Sequence, residues 1–175
     1  MSGYEECNNR GIELSRLGKL QEAEELLMDG LVLYPEYPLL SYNLSLVYFK
    51  QDRFSEGVIL LQDAVRLDPE NGEFHGQLAL GLYTLGRYDE AEFHYSLAVE
   101  LAPEHGEIQN NRGVLFFVTG RYAEARSCFK AAVSLKSDYR DGWYNLADAC
   151  DELGDRKGCK EALYRYKKLC GGDHG

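Results

Sequence analysis

The chain has 175 residues and a formal net charge of −10, a poor electrostatic footprint for phosphate neutralisation, which argues against DNA and RNA as ligands. Its longest apolar runs, Val114 to Val118 and Val58 to Leu61, fall far short of the ~20 residues that cross a bilayer. Five cysteines, an odd number with no Cys-x-x-Cys, argue against both a disulfide framework and a standard zinc site.

The start, Met1-Ser-Gly-Tyr-Glu-Glu, has neither a basic segment nor an apolar stretch, so no secretory signal and a cytoplasmic location are expected. From there the chain repeats itself. Pro35, Pro69 and Pro103 stand 34 positions apart, and Gly18-Lys-Leu, Asp52-Arg-Phe, Gly86-Arg-Tyr and Gly120-Arg-Tyr keep the same step. A period of 34 built from two apolar-periodic segments predicts stacked helical hairpins, none able to bury its hydrophobic face without a neighbour. The units run 4–37, 38–71, 72–105, 106–139 and 140–173.

In the first unit, helix A covers about fourteen residues from Tyr4, a turn follows at Gly18, and helix B runs to Pro35, which cannot donate the next backbone bond. The second opens at Pro38, where a missing N–H costs little, turns at Asp52 and closes at Pro69. The third and fourth start at Gly72 and Gly106 and turn at Gly86 and Gly120, where a left-handed residue suits a helix end. The fifth starts at Arg140, turns at Gly154 and departs from the pattern at Arg156, Tyr166 and Gly171. Its second helix, Asp155 to Leu169, has one apolar stripe (Cys159, Ala162, Leu163, Tyr166, Leu169) among many cations and reads as a cap, since terminal repeats need a polar outer face. Residues 171–175 read as a disordered tail.

Small residues recur at the eighth position (Gly11, Ser45, Ala79, Gly113, Ala147) and the twentieth (Ala23, Gly57, Ala91, Ala125, Cys159). The twenty-fourth is a large knob (Leu27, Leu61, Tyr95, Phe129, Leu163), and the twenty-seventh a small hole in all units but the last (Gly30, Ala64, Ala98, Ala132, Tyr166). Knobs facing holes are what ridge-into-groove packing requires.

These positions resemble the tetratricopeptide repeat, whose pattern opens Trp-x-x-Leu-Gly-x-x-Tyr and continues with Ala, Phe, Ala and Pro; Trp143-Tyr-Asn-Leu146-Ala147 is close to that opening. The resemblance covers residues 4–170. It implies an all-α, right-handed α-solenoid of five antiparallel helix pairs in one domain, with a concave groove lined by positions 2, 5, 6, 9, 12 and 13 of each helix A. It also implies that a ladder of asparagines can hold a bound chain, as in the O-GlcNAc transferase superhelix.

Position 6 holds a carboxamide in every unit: Asn9, Asn43, Gln77, Asn111 and Asn145. A carboxamide donates and accepts at once, which suits the alternating N–H and C=O groups of an extended peptide; the alternative is an inherited scaffold residue. Leu46, Phe49, Leu80, Tyr83, Val114 and Phe117 add an apolar row, which marks a binding face unless these side chains pack on one another. Asp148, Asp151 and Glu152 make the far end acidic. Position 2 gives Glu5, Leu39, Glu73, Glu107 and Asp141, carboxylates that also stabilise helix N-termini.

No nucleophile with a base, no paired carboxylates in a cleft and no metal constellation emerges. His75 reads as a core histidine, and His94 and Cys128 share a helix B position that favours packing. His105 lies in a turn and His174 in the tail, while Cys150, Cys159 and Cys170 are too loosely spaced for zinc. Most of a carboxylate-clamp pattern is also missing: its places hold Asn8, Ile12, Asn43, Glu73 and Gln77, of which only Asn43 fits. The expected function is a non-enzymatic protein–protein interaction module without cofactor or metal. It would hold an extended or helical segment with apolar side chains and basic residues toward the fifth repeat. The other reading is a self-assembling scaffold that forms homo-oligomers through its end repeats or groove; the expected state is a monomer or weak homo-oligomer.

Overall fold

In the computed structural model, which describes residues 3–171, the 34-residue period becomes ten helices among those residues. They are α1 (Gly3–Arg16), α2 (Leu20–Leu33), α3 (Pro38–Lys50), α4 (Phe54–Leu67), α5 (Gly72–Thr84), α6 (Tyr88–Leu101), α7 (Gly106–Val118), α8 (Tyr122–Leu135), α9 (Arg140–Glu152) and α10 (Arg156–Leu169). No strand occurs among the described residues, and none of their helices is long and apolar enough to cross a membrane. Most of the tail expected to be disordered, and His174 with it, lies outside them.

The boundaries have local causes. Each odd-numbered helix ends just before a left-handed residue, Gly18, Asp52, Gly86, Gly120 or Gly154, with φ between 60° and 76°. Glycine adopts that conformation without steric cost, and aspartate tolerates it. The arginine that follows in the middle three turns then clasps the first turn of the next helix: Arg53 Nη2 donates to Glu56 Oε1 at 2.6 Å, Arg87 Nη2 to Glu90 Oε2 at 2.6 Å, and Arg121 Nε to Glu124 Oε2 at 2.8 Å. In the last hairpin Asp155 does this work as an N-cap, accepting from the Gly158 N–H at 2.9 Å. Pro35, Pro69 and Pro103 each stand two residues beyond the end of α2, α4 and α6.

The helices fall into two compact units, Met1–Leu101 and Ala102–Gly175. In the first, Ala23, Leu27, Leu40, Leu44, Val47 and Tyr48 form one buried cluster, and the Leu27 side chain lies against Gly11, where an added Cβ would come within 2.7 Å of it. Phe49 is wedged in the same way between glycines: a Cβ at Gly57 would approach its ring to 2.4 Å and one at Gly81 to 2.6 Å. In the second unit Phe116, Ala125, Phe129, Leu146, Ala149 and Cys150 belong to the core, and Phe129 fills the space left by Gly113, whose added Cβ would lie 2.5 Å from the ring. In the first and fourth hairpins the large twenty-fourth residue, Leu27 or Phe129, therefore lies against the small eighth residue of its own helix A, Gly11 or Gly113, instead of the twenty-seventh, while Phe49 reaches from helix A to Gly57 of its own helix B and Gly81 of the next helix A.

Helix α10 buries Ala162 and half-buries Cys159, Leu163 and Tyr166, leaving Arg156, Lys157, Lys160, Arg165, Lys167 and Lys168 exposed. Tyr166 rests against Tyr144 with ring centroids 5.4 Å apart. Cys128 and Cys150 are buried, and burial is the leading cause that pushes both thiols up. Neutral, inaccessible thiols of this kind act as small apolar side chains.

Candidate functional site

In the first unit, position 6 of α3 is engaged within the protein. Asn43 Nδ2 donates to Asn8 Oδ1 on α1 at 2.7 Å and to the Leu39 carbonyl at 2.9 Å. Asn9 is exposed and Gln77 half-buried, and neither side chain hydrogen-bonds among the described residues. Asn43 and Leu46 line a cavity of about 240 Å³ between α1 and α3, together with Ile12 and Ser15. Lys50 closes one end of it by donating to Ser15 Oγ at 2.8 Å.

The second unit repeats this arrangement between α7 and α9. Asn145 Nδ2 donates to Asn110 Oδ1 at 2.9 Å, and Asn110 Nδ2 reaches Asn111 Oδ1 at 3.4 Å. Val114, Phe117, Asn145 and Asp148 converge, with Phe129, on a cavity of about 90 Å³. The Asp148 carboxyl is held above the usual range by burial and by its neighbours Asp151 and Glu152, both of which are exposed.

The position-12 aromatics have a structural task as well. Phe49 lies 5.4 Å from Phe54, Tyr83 5.7 Å from Tyr88, and Phe117 5.2 Å from Tyr122. In each case the ring near the end of helix A meets the first residue of helix B, and all three inner rings are half-buried. Leu80 and Val114 are half-buried too, so the row presents edges of side chains and not a fully open apolar strip.

Position 5 carries contacts that sequence reasoning passed over. Asn8 and Asn110 accept the next repeat's carboxamide, and Tyr42 donates its phenol to Glu73 Oε1 at 2.7 Å; burial first, then Glu73, pushes that phenol up. The position had no visible pattern because Gly76 and Tyr144 interrupt it. A consequence is measurable. Asn110 is only 4% exposed, so Asn145→Ala leaves its buried oxygen without that donor and should cost about 1–3 kcal/mol. Asn9→Ala, at an exposed and unbonded side chain, should cost under ~0.5 kcal/mol. Urea denaturation of the two variants checks the contrast.

The histidines are also joined. His75 Nδ1 lies 2.9 Å from His94 Nδ1, and His75 Nε2 lies 3.1 Å from the Pro69 carbonyl. A carbonyl only accepts, so His75 carries its proton on Nε2 and receives the Nδ1–H of His94. Among the described residues no group of three or more His, Cys, Asp or Glu side chains could hold a metal ion.

A family model described as a tetratricopeptide repeat matches residues 8–72, 77–140 and 119–156. The chain belongs to the tetratricopeptide-repeat family. Solved structures agree on the fold. Pseudomonas aeruginosa pilF superposes with a TM-score of 0.86 at 18% identity, covering 99% of this chain and 80% of its own. MamA from Desulfovibrio magneticus RS-1 gives 0.84 at 15%, covering 98% and 97%. YrrB, described as a tetratricopeptide-repeat protein with an unusual peptide-binding site, gives 0.74 at 24%, covering 96% and 86%. Curated protein sequences give no match. As a tetratricopeptide-repeat protein, the chain is a helical scaffold for protein interaction.

Proposed function

We propose that the protein is a non-enzymatic, cytoplasmic interaction module that holds an extended or helical segment of a partner on the A-helix face of its repeats. The observation that carries this reading is the convergence of Val114, Phe117, Asn145 and Asp148 on one cavity of the second unit, with Asp151 and Glu152 exposed beside it. Apolar side chains of a ligand would enter against Val114 and Phe117, and a basic residue would meet the three carboxylates. In the first unit Leu46 and Asn43, with Asn9 and Gln77 carrying unused amides, offer a peptide backbone similar contacts, and Phe49, Leu80 and Tyr83 supply apolar edges. The likeness to YrrB supports a peptide as the ligand class, and five free thiols fit a reducing compartment.

Net gains of about 0.5–1.5 kcal/mol per hydrogen bond, offset by the ordering of a flexible ligand, set the affinity near micromolar, about −8 kcal/mol. Selection from a displayed library of random twelve-residue peptides tests the reading. Peptides with apolar and basic residues should be enriched, and Asp148→Lys with Asp151→Lys should lower their affinity at least tenfold and flatten its salt dependence. Equal affinity for wild type and this variant would remove the A-helix face of the second unit as the site.

A second reading has its own observation: Val32 is 82% and Leu33 67% exposed at the end of α2, with Met28 also exposed. Such an apolar edge suits self-association into homo-oligomers, and a mass that rises with concentration in sedimentation equilibrium would support it.

A further inference from the structure

A cavity of about 520 Å³ lies in the first unit where the start of α1, the turn before α3 and the turn before α5 meet. We propose that it is a binding site for an arginine side chain of a partner protein. It lies apart from the α1–α3 cavity at Leu46 and shares only Asn9 with the peptide-binding reading above, on which it does not rest.

Three features point to this ligand. Tyr4 and Tyr37 stack with ring centroids 3.6 Å apart and an interplanar angle of 19°, and both line the cavity together with Phe74. Tyr34 meets each of them edge-on at 6.1 Å, which fixes the pair in place. Asp68 contributes a carboxylate to the same lining, Glu5 belongs to it as well, and none of the described residues that line it is a lysine or arginine. Aromatic faces beside carboxylates attract a cation twice, by the ring quadrupole and by charge.

The carboxylate at Asp68 is positioned by a built element. Asn71 accepts the N–H groups of Glu73 and Phe74 at 3.2 Å through one side-chain oxygen, capping α5, and its amide donates to Asp68 Oδ2 at 3.3 Å. The cap that starts the helix therefore also holds the acid. A guanidinium matches this site better than an ammonium, because its plane lies on an aromatic ring while its fork of donors engages carboxylate oxygens. The volume exceeds that of one side chain and leaves room for the adjoining backbone, for which Asn8 and Asn9 in the lining supply amides.

The probe is N-acetyl-arginine methylamide, titrated to tens of millimolar at low salt into the ¹⁵N-labelled full chain. Shifts should centre on residues 4–9, 37–40 and 68–74. The neutral citrulline analogue should cause none, and the lysine analogue should bind several-fold more weakly. Glu5→Gln with Asp68→Asn should weaken arginine binding at least tenfold with an unchanged thermal midpoint, and Tyr37→Leu should weaken it independently of charge. The Asp148→Lys, Asp151→Lys protein should bind the probe as wild type does, so failure of the second-unit groove and failure of this pocket are read separately. Absence of shifts, shifts scattered over the acidic surface, an equal response to citrulline or lysine, or undiminished binding by the Glu5, Asp68 variant would each overturn the proposal.

Discussion

Phe129→Ala should destabilise the protein by about 3–5 kcal/mol, the range for removing a fully buried phenylalanine ring. The ring is 1% exposed, fills the space over Gly113 and forms one wall of the cavity shared by Val114, Phe117, Asn145 and Asp148. Collapse cannot heal the gap cheaply, because Gly113 has no side chain to move into it. In an array whose repeats contact only their neighbours, such damage stays local. Hydrogen exchange should therefore lose protection chiefly in α7, α8 and α9, while α1 and α2 keep theirs. A uniform loss along the chain would contradict nearest-neighbour stabilisation, and a cost below ~1 kcal/mol would show that the knob at this position carries little of the core.

The features legible in the sequence were those that depend on spacing within one repeat. Gly18, Gly86, Gly120 and Gly154, with Asp52 in the same register, mark every helix A end because the left-handed residue must fall at the same step each time. The recurrence of a large residue at Phe129 and a small one at Gly113 was visible from the period, but the sequence set that knob against the twenty-seventh position, whereas the ring lies over Gly113, sixteen residues earlier in the same hairpin. Contacts between consecutive helices A were harder to read. Asn43 reaches Asn8, and Asn145 reaches Asn110, across 35 residues, one more than the period, and position 5 carries asparagine in two units only. The partners of Asn43 and Asn145 at position 6 were therefore not visible in the sequence. The aromatic pairs Phe49–Phe54, Tyr83–Tyr88 and Phe117–Tyr122 span five residues across a turn and were within reach of the sequence. The Tyr4–Tyr37 pocket was not: it joins side chains of α1 and the turn before α3, and only the folded chain brings Asp68 to them.

Lowering the pH from about 6.5 to about 4 should cost stability through the His75–His94 pair. The His94 imidazole is pushed down from its ordinary 6.5 to about 4, by burial first and then by His75, with Glu90 opposing. Above pH 6.5 the ring is neutral in both the folded and unfolded chain, and its contribution is fully present. Between those values the unfolded chain takes up a proton that the folded one refuses, so the stability falls with falling pH; below about 4 both are protonated and the loss is complete. Protonating His94 places a cation against His75, itself 5% exposed and tied to the Pro69 carbonyl, with the Phe93 ring on the other side. Glu90 relieves this only in part, because Arg87 already holds both its oxygens at 2.6–2.7 Å. The carboxylates held below their usual range, Glu24, Glu56, Glu90 and Glu124, lose their contribution only as pH drops through 4.5 and beneath, and Asp148, held above its range, adds stability as it takes up a proton, which leaves a loss between 6.5 and 5 to histidine. Within it the wild-type Tm should fall by a few degrees. His94→Gln, which keeps an amide donor for His75 Nδ1 and cannot titrate, should flatten the slope. If wild type and His94→Gln lost stability in parallel over that interval, His94 would not be the source of the acid sensitivity.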